Sequence, residues 1–327
     1  MQLAKLFRDN MVFQAEKPVR IFGEGAGKVC IGLNQQTYEK NFDGKDWVME
    51  LPAQAYGGPY EMSISLNGEN CALKNIAFGD VFLCSGQSNM QFTLELEKGA
   101  KEVETDEKIR YFCCDRLEKG NSLTSADGWR VCIKGEVALW SALATHIAQE
   151  YRKNKDVFVG LVGCFQGASV IQSWMPEKCL DESVYVPIED RNLDARYEAY
   201  SLWNGNSVLY KAMFSTLIPF SFKTVVWYQG ESNAAEAEGK VYKELLARLI
   251  GAWREDLKDG ELPFIVVEIC DYLPRNDDGW RCIQAAQREI VNVVKNAYCV
   301  TSKDVCEHTD IHPCNKEKLA KKIAAVI

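Results

Sequence analysis

The chain has 327 residues, 47% apolar and 26% charged, enough for one large core or for a core with a small appended domain. Acidic residues outnumber basic ones 46 to 38, a formal charge of −8 with no basic stripe, which argues against a nucleic-acid partner. The apolar runs are strand-sized and the opening residues lack a secretory signal, so neither a membrane span nor a leader is expected.

Thirteen cysteines are scattered through apolar runs, with no Cys-x-x-Cys or Cys/His zinc spacing. Buried cysteines behave as small hydrophobes, and an odd number of them fits a reducing compartment. The expectation is free thiols, no metal, no cofactor and a cytoplasmic chain.

Residues 1–77 alternate in short segments around Val19-Arg20-Ile21-Phe22, Trp47-Val48-Met49 and Tyr60-Glu61-Met62, punctuated by Asp43-Gly44, Gly57-Gly58-Pro59 and Asn67-Gly68. Short strands at that spacing predict a small β-sandwich. From 78 to 327 the pattern becomes strand and helix in alternation, the mark of a parallel α/β sheet. Strands are predicted at 81–84, 109–113, 157–162, 224–228, 264–269 and 297–301. Helices are predicted at 139–153, 206–216, 240–253, 281–293 and 316–326, with 99–107 and 180–200 as charged loops.

The stretch that organises this region is Val81-Phe82-Leu83-Cys84-Ser85-Gly86-Gln87-Ser88-Asn89-Met90. It reads as a buried strand entering a tight turn and then a helix through Thr93 to Glu97. A serine at such a corner stands at the carboxyl edge of the sheet, beside free N–H groups that can face a developing negative charge. Ser88 is thus a candidate nucleophile, and the competing reading is a helix N-cap. Cys84 and Cys164 are rival nucleophiles, both expected to be buried.

A serine nucleophile needs a base, and the chain has three histidines. His146 lies within a helical stretch and reads as structural. His308 and His312 follow the last predicted strand, in Glu307-His308-Thr309-Asp310-Ile311-His312-Pro313, where catalytic groups belong in open α/β folds. Asp310 could orient the His312 ring, with Asp304 as the other candidate acid. Two further loops at strand ends are rich in donors: Gly163-Cys164-Phe165-Gln166-Gly167-Ala168-Ser169 and Gln229-Gly230-Glu231-Ser232-Asn233. A glycine N–H and a carboxamide N–H aimed at one point would bind an oxyanion.

Gly86-Gln87-Ser88-Asn89-Met90, Trp227-Tyr228-Gln229-Gly230-Glu231-Ser232-Asn233 and Ile311-His312-Pro313 resemble the sialate O-acetylesterase family of SGNH-type hydrolases. The likeness extends to Leu6 through Val12, Leu202-Trp203-Asn204-Gly205 and Leu262-Pro263-Phe264. It implies a flavodoxin-like three-layer α/β/α hydrolase that removes acetyl groups from sugar hydroxyls through an acetyl-serine intermediate. Carried over by position, Ser88 is the nucleophile and His312 the base. The oxyanion donors become the N–H groups of Ser88 and Gly167 and the Gln229 side chain, with Asn233 as competitor and Glu231 in support. The superfamily's acid stands three residues before the histidine, where this chain has Thr309.

The expected partner is an O-acetylated carbohydrate, 9-O-acetylated sialic acid above all, with acetyl-xylan or another acetylated sugar as the alternative. A non-catalytic carbohydrate-binding protein is the reading from another class. Trp174, Arg281 and Arg288 are candidate pocket residues, because an arginine fork would suit the sialate carboxylate.

Overall fold

The computed structural model describes residues 2–118, 120, 122–181, 201–275 and 277–327. The loop expected at 180–200 therefore lies almost wholly outside the described residues.

The amino-terminal third is built of short antiparallel strands in two sheets. Gln2–Leu3, Val19–Glu24 and Asp46–Leu51 form one. Gly27–Leu33, Gln36–Phe42 and Gly57–Leu66 belong to the other and hand it on to β1, Glu69–Gly86. The period of two is visible in the burial: Val29, Ile31 and Leu33 point inward, as do Trp47, Met49 and Leu51. Asn67 and Gly68 both take positive φ, the two-residue turn that fits the right-handed twist of a hairpin. The glycine cluster at Gly57-Gly58-Pro59, expected as a turn, instead opens a strand, where the register against β1 slips.

β1 is the spine of the molecule. Its first half pairs antiparallel with Gly57–Leu66, and its second half lies parallel between two strands of the larger sheet. The boundary read at 77/78 falls inside this one strand. Asp80, buried at that junction, accepts the hydroxyls of Tyr56 at 2.9 Å and Tyr151 at 2.7 Å and the amide of Gln14 at 3.3 Å. One carboxylate thus ties the amino-terminal strands to a helix of the larger region.

The larger sheet continues with β2 (Asp106–Cys113), β3 (Arg130–Cys132), β4 (Val159–Phe165), β5 (Thr224–Tyr228), β6 (Phe264–Glu268) and β7 (Ala297–Thr301). In space the order is β3-β2-β4-β1-β5-β6-β7, parallel except for the edge strand β3. Without the β2–β3 excursion this is the flavodoxin-like order, whose switch point is β1. Every residue of β4, β5 and β6 is buried, so both faces of the sheet must be covered. Two packed helix pairs do this: α2 (Ala142–Arg152) with α6 (Glu317–Ala324), and α4 (Glu236–Asp256) with α5 (Asp278–Glu289). The helix expected at 206–216 is only a short α3, Val208–Ala212, followed by a 3-10 turn. No helix among the described residues is long and apolar enough to cross a membrane.

Candidate active site

The site is built at the carboxyl ends of β1, β4 and β5, with the loop after β7 folded over them. β1 ends at Gly86, whose φ is +134°. A Cβ there would lie 2.0 Å from the carbonyl oxygen of Tyr228 in β5, so only glycine lets the two strands meet at this corner. The chain then turns into α1, Ser88–Gln91, a single turn rather than the longer helix expected. Gln87 holds the N-cap position, so Ser88 stands inside the first turn and its hydroxyl is free of capping. The Ser88 N–H, the first of the helix, meets no acceptor among the described residues.

Ser88 Oγ lies 2.7 Å from His312 Nε2. The histidine is half-buried, and burial first, then the nearby Lys316 ammonium, holds its pKa below the ordinary value, with Asp310 pulling the other way. Gly167, at the end of β4, donates its N–H to Gln91 Oε1 at 2.7 Å, close beside Ser88. Trp203 Nε1 donates to the Gly167 carbonyl at 3.0 Å and Asn204 Nδ2 to the Ala168 carbonyl at 2.8 Å. These two straps hold Ala168 at a φ of +50°, a conformation a non-glycine residue keeps only when its surroundings impose it.

A cavity of about 360 Å³ opens over Ser88 and His312, walled by Gln91, Glu118, Trp203 and Glu231. A larger one, about 620 Å³, lies beside the amino-terminal end of β4, between Tyr56, Arg110 and Phe158. It holds no nucleophile and base in contact, so chemistry rather than volume selects the smaller cavity.

Beneath the floor, side chains stitch the motifs together. Gln87 Oε1 accepts the N–H groups of Gly230 at 3.2 Å and Ser232 at 3.4 Å. Asn89 Nδ2 donates to Glu231 Oε1 at 2.6 Å and to the Ile311 carbonyl at 2.9 Å. Asn89 Oδ1 accepts from the fully buried Lys316 at 2.6 Å.

The structure therefore brings Ser88, His312, Gly167 and Glu231 to one place. Several other expectations are corrected. Gln229 is buried, and its amide nitrogen already donates to the Ser169 carbonyl at 2.9 Å and to Asn233 Oδ1 at 2.7 Å. Asn233 is equally committed, donating to Gln172 and Glu238 at 2.9 Å each. Neither has a donor left for an oxyanion; both build the scaffold under the β5 loop.

Asp310 accepts the backbone N–H of His312 at 2.8 Å and so shapes the loop rather than holding the ring. Asp304 pairs at the surface with Lys322 at 2.6 Å. No acceptor among the described residues meets His312 Nδ1, so Ser88 and His312 stand as a dyad. Trp174 is wholly buried, with its indole nitrogen on Ser169 Oγ, and belongs to the core. Arg281 pairs with Asp278 and Arg288 with Glu268, and neither lines the cavity.

His146 is bound to Glu97 at 2.7 Å, in keeping with a structural role, and His308 Nε2 to the Lys303 carbonyl. The Cys84 thiol is fully buried and pushed up to about 12 by desolvation, far from thiolate chemistry at neutral pH. All thirteen cysteines are free. The residues the sequence did not single out are Gln91, Asn89, Trp203 and Lys316. Asn89 sits in the nucleophile stretch itself, Gln91 directly after it and Trp203 in a block already noted, whereas a lysine opening the last helix carries no signal of burial.

A switch-point cavity with serine and histidine in contact, on this strand order, defines an α/β/α esterase of the SGNH type. Residues 78–325 match the family model described as carbohydrate esterase, sialic acid-specific acetylesterase. The chain belongs to that family. It is 26% identical to the sialate O-acetylesterase of Rattus norvegicus, over 98% of this chain and 72% of that protein. It is 25% identical to the Homo sapiens enzyme, over 98% and 69%. Among solved structures, a carbohydrate acetylesterase from Xanthomonas citri superposes with a TM-score of 0.84 at 25% identity, covering 99% of this chain and 74% of that one.

Proposed function

We propose that this esterase removes O-acetyl groups from carbohydrates by way of an acetyl-serine on Ser88. The 2.7 Å contact between Ser88 Oγ and His312 Nε2 at the cavity floor carries the reading. His312 takes the hydroxyl proton as Ser88 attacks the acetyl carbonyl, and gives it to the departing sugar oxygen. Water, deprotonated by the same ring, then releases acetate and restores the serine. The proposed oxyanion donors are the N–H groups of Ser88 and of Gly167, the latter bonded to Gln91 until the substrate displaces it, and losing such a donor costs about 10²–10³ in turnover.

Family membership favours O-acetylated sialic acid as substrate. One observation favours a second reading, a neutral acetylated sugar such as an acetylated xylo-oligosaccharide. The cavity presents Glu118 and, among the described residues, no lysine or arginine to meet a sialate carboxylate.

Acetate release from 9-O-acetylated sialic acid and from acetylated xylo-oligosaccharide, in wild type and Ser88→Ala, tests both. Sialate turnover that vanishes in the variant supports the first reading, and turnover of the xylan fragment alone supports the second. A Ser88→Ala protein of near-normal activity sinks the mechanism. A folded wild type inactive on both returns the chain to a carbohydrate-binding role.

A further inference from the structure

A lysine side chain is rarely fully buried, because removing its ammonium from water is costly unless the charge is matched. Lys316 is fully buried. It sits immediately before α6, four residues after His312, with its backbone N–H on Glu97 Oε1 at 2.8 Å. Its ammonium donates to Asn89 Oδ1 at 2.6 Å and lies 4.9 Å from the Phe92 ring centre and 5.9 Å from that of Tyr228. The opposing carboxyl group is Glu231, one Asn89 carboxamide away, whose pKa burial raises, whose Oε1 is bound by Asn89 and whose buried Oε2 meets no hydrogen-bond partner among the described residues. The same carboxamide grips the carbonyl of Ile311, the residue before the base.

We propose that Lys316, acting through Asn89 and against Glu231, is a positioning residue of this esterase. Its buried charge fixes the His312 loop on the nucleophile turn and sets the electrostatic environment of the base. The inference rests on the Ser88–His312 reading and extends it.

The arrangement answers a need left by the site itself. A histidine whose Nδ1 meets no carboxylate among the described residues must be held by its backbone, and two bonds do so: Asn89 to the Ile311 carbonyl, and the His312 N–H to Asp310. Asn89 can serve Ile311 and Glu231 together only if its oxygen faces the other way, and Lys316 is what stands there. The charged groups facing His312 are Lys316 and Asp310. Burial lowers the Lys316 pKa, and the groups facing it that pull the other way are Cys306, Glu231, Cys270 and Glu307. A cation behind the imidazole disfavours its protonated form, so the ring stays neutral, and ready to accept the serine proton, to lower pH.

The test is Lys316→Met, with kcat, KM and the pH dependence of kcat/KM measured on an aryl acetate, and folding followed by thermal unfolding. The expected result is kcat lower by about ten- to a hundredfold, the range a slightly misplaced catalytic group produces, with KM nearly unchanged. The acid limb of kcat/KM should move to higher pH, because loss of the cation makes His312 easier to protonate. A merely structural lysine would lower the melting temperature without moving that limb. The double variant Glu231→Gln with Lys316→Met removes both buried charges. It should fold even if the single variant does not, and should still show the raised limb. A folded single or double variant with the wild-type limb and kcat overturns the inference. Wild type inactive in the same assay refutes the hydrolase reading instead, which keeps the two failures apart.

Discussion

In the proposed mechanism, Gln91 occupies one of the two N–H groups that would hold the oxyanion. Its Oε1 accepts from Gly167 at 2.7 Å, so an acetyl oxygen developing negative charge must displace it. A neutral intramolecular hydrogen bond is worth about 0.5–1.5 kcal/mol net over the same bond to water. Replacing Gln91 by alanine leaves only water to displace, and that energy returns to the transition state. Converted at 1.36 kcal/mol per tenfold, the gain in kcat/KM is about two- to thirteenfold. Gln91→Glu should do the opposite. Its carboxylate makes a charge-assisted bond to the same N–H, roughly twice as strong, and adds a second negative charge beside Glu118. A loss of about tenfold or more is expected. Steady-state hydrolysis of an aryl acetate, which needs no sugar contacts, isolates the effect. The reasoning is refuted if Gln91→Ala lowers kcat/KM more than tenfold, for then the side chain would be supporting the Gly167 loop rather than competing with the oxyanion.

Four further outcomes are expected. In wild type, kcat/KM should fall on the acid side with a midpoint below the ordinary histidine value of about 6.5, since burial and Lys316 both depress the His312 pKa. A midpoint well above that value would contradict the site's electrostatics. Gly86→Ala places a side chain at φ +134° and 2.0 Å from the Tyr228 carbonyl. With strain of about 1–3 kcal/mol before any collision, the melting temperature should fall by several degrees and activity with it. An unchanged unfolding curve would show that the corner is looser than described. Asp304→Ala should leave kcat within about twofold, as surface substitutions do. Asp310→Ala should cost only severalfold, the worth of one hydrogen bond to the His312 N–H. A loss near 10⁴ for either variant would restore it as the triad acid.

How much of this was legible depended on whether a residue's role is local. The strand at Thr224–Tyr228 matches its expected bounds because both its faces are buried and its apolar run is unbroken. β1 has eighteen residues where the apolar run suggests four, because its first half is mostly exposed, with Leu73, Ile76 and Ala77 buried, and looks like part of the preceding hairpin. The serine, the histidine and the glycine of the β4 loop announced themselves by residue type and by position after a strand. Gln229 did so too, misleadingly: spacing places a carboxamide on a loop but does not say which side of it the side chain leaves. Here Tyr242, donating to Gln229 Oε1 at 2.7 Å, draws it under the sheet edge. Lys316 was silent for the opposite reason, since the groups that justify its burial come from α1 and the β5 loop, far away in sequence.

Because β1 runs unbroken from Glu69 to Gly86, the amino-terminal strands and the nucleophile turn share a single backbone. The serine is in effect mounted on the end of a rod whose other end is clamped by a different sheet. A cleavage anywhere along that rod would free both regions at once, so protease trimming should give either the whole chain or fragments without catalysis. Catalytic register here is inherited from strands that never approach the substrate.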